Sequence, residues 1–104
     1  MAKFTVAPSA EADLDEIWHY ISEHNQEAAD KFIRDLAGKF QLLAKNKEIG
    51  KRQDDFIVEM RMFPFKKYHL YYFPADDGIE IYRVLHGSRD IDGLFEDFFG
   101  GLKE

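Results

Sequence analysis

A chain of 104 residues, 45% apolar, with ten Phe, five Tyr and one Trp, is the size of one domain around a single modest core. It has no Cys, which excludes disulfide stapling and a thiol nucleophile, and no run near the roughly 20 apolar residues that cross a bilayer. Its net charge of −6 argues against broad electrostatic attraction to nucleic acid.

The opening residues, Met1-Ala2-Lys3-Phe4-Thr5-Val6, lack the long apolar core of a signal peptide, so a cytoplasmic protein is expected. Charge is uneven along the chain. Residues 9–49 hold nine acids against five bases, and residues 76–104 hold eight against three. Residues 51–70 reverse this, with five bases against three acids, a basic island in an acidic protein.

In chain order, Phe4-Thr5-Val6 reads as a short strand. Pro8 suits the first turn of a helix, with Ala7 or Ser9 at its cap. Leu14, Ile17, Trp18 and Ile21 then form an amphipathic stripe. Asn25 can cap a second helix carrying Ala29, Phe32, Ile33, Leu36, Phe40 and Leu43 on one face. The short connection makes the pair an αα-hairpin, with Trp18, Ile21, Ile33, Leu36 and Phe40 expected between hairpin and sheet.

A charged loop over 51–55 leads to a strand over 56–63, where Val58, Met60 and Met62 alternate with Glu59 and Arg61. Pro64 closes or bulges it. A second strand runs over 67–73, an Asp-Gly type hairpin loop over 74–78, and a third strand over 79–86. Asp90 can cap a short terminal helix bearing Ile91, Leu94, Phe95, Phe98 and Phe99. The architecture is α+β: a helical hairpin packed on a largely antiparallel sheet, β-α-α-β-β-β plus a short C-terminal helix, as one domain over 1–104.

The four His residues do not read as a metal site: His19 and His24 face different sides of a helix, and His69 and His86 lie on separate strands. No cofactor-binding motif is present. One chemical reading of the sheet is metal-free RNA cleavage, which needs a base, an acid and cations for the phosphorane charge. Tyr68, His86, Lys66, Lys67, Arg61, Arg83 and Arg89 are of the right types. The competing reading is structural, with Arg61 and Arg83 paired to Glu59 and Glu80 and the tyrosines packing the sheet. A third is a peptide-binding face using aromatic anchors and Arg contacts. Adjacent Phe98 and Phe99 cannot both point inward from a helix, so one is expected to meet solvent or a partner.

From Phe4 to Phe95 the chain resembles the ParE toxins of the RelE/ParE superfamily of type II toxin–antitoxin systems, often labelled plasmid stabilisation proteins. The resemblance rests on residues 10–21, 25–33 and 48–52, on Arg61-Met62-Phe63-Pro64 with Tyr68, and above all on Ile79-Glu80-Ile81-Tyr82-Arg83-Val84-Leu85-His86-Gly87-Ser88-Arg89-Asp90. It departs from the family where Ala7-Pro8 replaces Ser-Pro, where Asn25-Gln26 and Asn46-Lys47 replace Asn-Pro, and where Lys66-Lys67 replaces Gly-Arg or Gly-His. The cap changes cost about 1 kcal/mol at most.

The resemblance implies a RelE/ParE-like fold and a bacterial toxin neutralised by a cognate antitoxin, whose C-terminal segment folds on binding. ParE toxins inhibit DNA gyrase, whereas RelE-type relatives are ribosome-dependent mRNA endoribonucleases, and fold alone does not separate the two. The acidic net charge, the lack of an assembled acid–base pair and the His-Gly-Ser-Arg-Asp ending favour gyrase inhibition, without enzymatic activity or strong direct nucleic-acid binding. A nuclease, or a binding domain with decayed activity, is the alternative. On the gyrase reading the target-binding residues are Arg61, Arg83, His86 and Arg89. Antitoxin contacts fall to Tyr71, Tyr82, Phe95, Phe98 and Phe99. If the chain is a nuclease, Tyr68, His86, Arg61 and Arg83 are catalytic.

Overall fold

The computed structural model describes residues 2–88. The expected terminal helix, with Phe95, Phe98 and Phe99, and also Arg89, lies outside the described residues. The elements are β1 (Lys3–Val6), α1 (Pro8–Ser22), α2 (Gln26–Lys45), β2 (Lys51–Arg52), β3 (Arg61–Phe65), β4 (Tyr68–Ala75) and β5 (Gly78–His86).

Local chemistry sets the helix ends. Pro8 occupies the first turn of α1, where its missing N–H costs nothing, and Ala7 is the cap. Asn25 caps α2 through its side-chain oxygen, which accepts from the Ala28 N–H at 3.1 Å. Asn46 ends α2, its backbone N–H returning to the Leu42 and Leu43 carbonyls.

The sheet has the order β1-β5-β4-β3-β2. β1 joins β5 in parallel, and the other pairings are antiparallel. The hairpin covers one face, where Leu36, Phe40 and Leu43 meet Leu70, Tyr72, Ile79, Ile81 and Val84. On the opposite face, Met60, Tyr71 and Leu85 are buried among Ile57, Met62, Phe73 and Tyr82. The apolar faces of helix and strand thus find each other as the two periodicities require.

Three expectations need correction. The 51–55 loop contains a strand: β2 pairs Lys51 with Met62 and Arg52 with Arg61, extending the sheet at its edge. The alternation over 56–63 does not make one long strand. Glu59 has φ +70°, its N–H bonds the Asp54 carboxylate at 2.8 Å, and the ladder starts only at Arg61. Local Asp-to-backbone bonding has won over β pattern there. Pro64 neither closes nor bulges the strand. It lies inside β3 opposite His69, beyond the end of β2, where β3 has a single neighbour.

Trp18 needs correction as well. Leu36 and Phe40 are buried and Ile21 and Ile33 pack against the core, as expected. Trp18 instead sits half-buried between the helices, with its indole N–H donating to Asp30 Oδ1 at 2.8 Å. It clasps the hairpin from outside because its ring nitrogen needs a partner that the apolar core does not offer.

Gly78 allows β1 to approach β5 closely. An added Cβ would fall 1.6 Å from the Lys3 carbonyl oxygen. Gly78→Ala is therefore expected to lower stability by about 1–3 kcal/mol or more through overpacking against backbone, measurable as a reduced denaturation midpoint.

Candidate functional site

The largest conformational event on β5 is a break in register. Tyr71 pairs with Arg83 but Tyr72 with Ile81, so Tyr82 is the extra residue of a bulge. β1 also ends opposite Ile81. Helix α1 takes up the polar groups left there. Ser9 Oγ donates to the Tyr82 carbonyl at 2.7 Å, and Asp13, one turn later, accepts from the Val84 N–H at 2.9 Å. Asp13 also takes a bidentate pair from Arg83, Nε at 2.7 Å and Nη2 at 3.0 Å. Asp13 is 5% exposed, and both its carboxylate oxygens accept hydrogen bonds. Donation to the Asp13 carboxylate holds the Arg83 guanidinium still more firmly protonated.

Beside this node lies a cleft of about 190 Å³ between α1 and the end of the sheet. Glu16, Tyr20, Tyr68 and His86 form its rim. Tyr68 and His86 meet edge to face at 5.5 Å. His86 Nδ1 accepts from the Ser88 N–H at 3.1 Å and lies 2.7 Å from Ser88 Oγ, so the neutral ring carries its proton on Nε2. Burial pushes the Tyr68 phenol up from its ordinary value.

Arg61 anchors the exit from α2. Its Nη1 donates to the Gly50 carbonyl at 2.6 Å and to the Glu48 carbonyl at 3.1 Å. Tyr72 works beside it: its hydroxyl donates to the Lys47 carbonyl and accepts from the Gly50 N–H, both at 2.8 Å. Gly50 leaves the space this ring needs, since a Cβ there would come within 2.4 Å of the hydroxyl.

The structure brings Tyr68 and His86 together and turns Arg61 and Arg83 to internal partners. These are not the Glu59 and Glu80 partners of the cross-strand reading, but Glu48 and Gly50 carbonyls and Asp13. Tyr71 is 2% exposed, so it lies beneath the surface of the sheet, while Tyr82 is half-buried and meets Phe73 edge to face at 5.5 Å. Arg89, Phe95, Phe98 and Phe99 lie outside the described residues.

Ser9, Asp13, Glu16 and Tyr20 were missed by sequence reasoning. The available signal was Asp13 itself, because Ala10, Asp13 and Ile17 share the buried face of α1. A carboxylate at such a position has to find a cation or an orphaned N–H.

A helical hairpin over one face of a five-stranded mixed sheet is the fold of a solved chain titled "Chromosomal ParDE TA system from P. aeruginosa". The TM-score is 0.68 at 22% identity, covering 83% of this chain and 96% of that one. Residues 4–91 match the family "ParE toxin of type II toxin-antitoxin system, parDE". The chain is 28% identical over 93 residues to Toxin ParE1 of Mycobacterium tuberculosis (strain H37Rv), covering 88% of this chain and 95% of that protein. It is 27% identical over 89 residues to Toxin ParE1 of Caulobacter vibrioides, covering 85% and 92%. This chain therefore belongs to the ParE toxins of type II toxin–antitoxin systems, a setting that implies an antitoxin partner. Among the described residues no helix is long and apolar enough to cross a membrane.

Two outcomes test the node and its surroundings. Asp13→Ala or Arg83→Ala should each cost about 3–5 kcal/mol, because each strands a buried charge. In a double-mutant cycle the two losses should be strongly non-additive. The second concerns alkaline pH. Burial raises the phenol of Tyr71 to about 12 and also lifts Tyr68, Tyr72 and Tyr82 above 10. Between the unfolded and folded values the folded state holds more protons, so stability is fully present below about pH 10 and falls as pH rises toward 12. Denaturation midpoints at pH 8, 10 and 11 should show that fall, and Tyr71→Phe should flatten it.

Proposed function

We propose that this toxin acts by binding and inhibiting DNA gyrase, and that a cognate antitoxin neutralises it through a C-terminal segment that folds on the toxin surface. The observation that carries the choice is the inward commitment of Arg61 and Arg83. A ribosome-dependent nuclease needs cations aimed at the phosphorane, together with a base and an acid. Both sheet arginines are instead held by the protein's own carbonyls and by Asp13. The raised Tyr68 phenol holds little phenolate at neutral pH, which makes it a poor base. The net charge of −6 also opposes docking among ribosomal phosphates.

On this reading His86 and Arg89 are contact groups for the target. Arg83, acting through Asp13, positions the end of β5 that carries His86, and Arg61 holds the α2 exit loop. Antitoxin contact falls to the sheet face bearing Tyr82, with Tyr71 supporting it from below, and to Phe95, Phe98 and Phe99. Coupled folding lets a short segment cover such an area.

Purified toxin should inhibit ATP-dependent supercoiling or trap cleaved DNA, while leaving mRNA on translating ribosomes intact. His86→Gln and Tyr68→Phe should then change toxicity by no more than about tenfold, the scale of one surface contact. Ribosome-dependent mRNA cuts, lowered about 10²–10⁴-fold by either substitution, would reverse the assignment to the nuclease reading. A folded protein inert in both assays that still binds the antitoxin would mean that the toxic activity has decayed.

A further inference from the structure

Helix α2 carries a second surface with a lining different from that of the His86 cleft, separated from it by Phe32, whose ring lies 5.5 Å from that of Tyr68. Arg34, Gly38 and Leu42 fall at i, i+4 and i+8 and so form one stripe about 12 Å long. With Lys39, Phe65 and Lys66 they enclose a groove of about 460 Å³ between α2 and the β3–β4 turn. Its floor is apolar: Leu42 is 39% exposed and Phe65 half-buried. Its rim is cationic. Lys66 Nζ lies 5.6 Å from the Phe32 ring centre and 5.5 Å from that of Phe65, and Lys39 Nζ lies 6.0 Å from Phe65. The one carboxylate in the lining, Asp35, is paired with Lys31 at 2.8 Å. Among the described residues, Arg34, Lys39 and Lys66 form no ion pair with a carboxylate.

Two residues here run against local stability. Gly38 sits within α2, where Gly is a poor helix former, yet an added Cβ would meet nothing within 4 Å. The chain's own packing gives no reason for the notch. Lys66 has φ +55° in a two-residue turn, a conformation that favours Gly. That strain puts a cation over two aromatic rings at the mouth of the groove, and strained positions of this kind are a pointer to function.

We propose that this groove docks an acidic, amphipathic segment of the antitoxin, apolar side chains entering the Gly38 notch against Leu42 and Phe65, carboxylates meeting Arg34, Lys39 and Lys66. It rests on the antitoxin reading above and adds where one segment binds and what its chemistry is. On a protein of net charge −6, a basic rim steers an acidic partner to one place. The apolar floor and notch favour a peptide over a phosphate backbone, which gains nothing from Leu42 or Phe65.

The test uses the full-length purified toxin and the full-length product of the small gene adjacent to the toxin gene, titrated by fluorescence anisotropy. Gly38→Gln and Lys66→Gly should each preserve or raise the melting temperature while weakening binding at least tenfold, so misfolding cannot account for the loss. Lys39→Glu should weaken it further and flatten the salt dependence, because an attractive charge contact is replaced by a repulsive one. Lys45→Glu, which lines a different cavity with Asp76 and Asp77, is the control and should change affinity less than threefold. No binding by wild-type toxin would remove the antitoxin reading itself. Tight wild-type binding that survives Gly38→Gln, Lys66→Gly and Lys39→Glu would overturn the groove alone. Equal losses in Lys39→Glu and the Lys45→Glu control would also overturn it, since they would reflect overall charge.

Discussion

Helix α1 is fastened to the sheet by a single buried carboxylate. Asp13 accepts from Arg83 twice and from the Val84 N–H, and Ser9 one turn earlier donates to the Tyr82 carbonyl. A charge removed from water is tolerable only when it is paired and hydrogen-bonded, and here a guanidinium and a backbone N–H supply three bonds. Because the contact spans from α1 to β5, it fixes where the hairpin sits on the sheet. It also fixes where Tyr20 and Glu16 stand relative to Tyr68 and His86. The cleft at that end of the molecule is a consequence of this attachment.

A second polar clasp lies on the other side of β4. The Tyr72 hydroxyl and the Arg61 guanidinium together hold the Lys47, Glu48 and Gly50 backbone as the chain leaves α2. β2 follows immediately and pairs with β3. The two sheet arginines therefore do the same kind of work on either side of β4, Arg61 opposite Tyr72 and Arg83 opposite Tyr71: each satisfies buried or half-buried acceptors. Their guanidinium groups are committed to internal acceptors, so an arginine count along the strands is a poor guide to the charge this fold leaves exposed.

Charge left on the surface is distributed differently. Lys39, Lys66 and Arg34 gather around exposed apolar area beside α2, against an acidic background. Lys66 adopts a left-handed conformation to reach that position, and Gly38 leaves the helix notched beneath it. The sheet face around Tyr82 and the α2 groove lie on different sides of the molecule. A partner that wraps can engage both, whereas a rigid globular partner would meet only one.

Both helices with their caps, the strands β1, β3, β4 and β5 in order, and most of the face each helix buries were legible in the residues. They depend on short-range chemistry: Pro8 at a first turn, Asn25 as a cap, and apolar spacings that match 3.6 or 2 residues. The family resemblance was legible for a related reason, since it rests on the same ordered fragments. Tertiary structure decided what depends on partners distant in sequence. Residues 51–52 are too short to read as a strand, and only the exposed edge of β3 makes them one. Trp18 has the spacing of a core residue, but its N–H finds Asp30 on the next helix. Arg83 and Asp13 are 70 residues apart, and no local pattern couples them. The spacing of residues along the chain determined which face each side chain occupies, and packing between elements determined whether that face holds a site or a support.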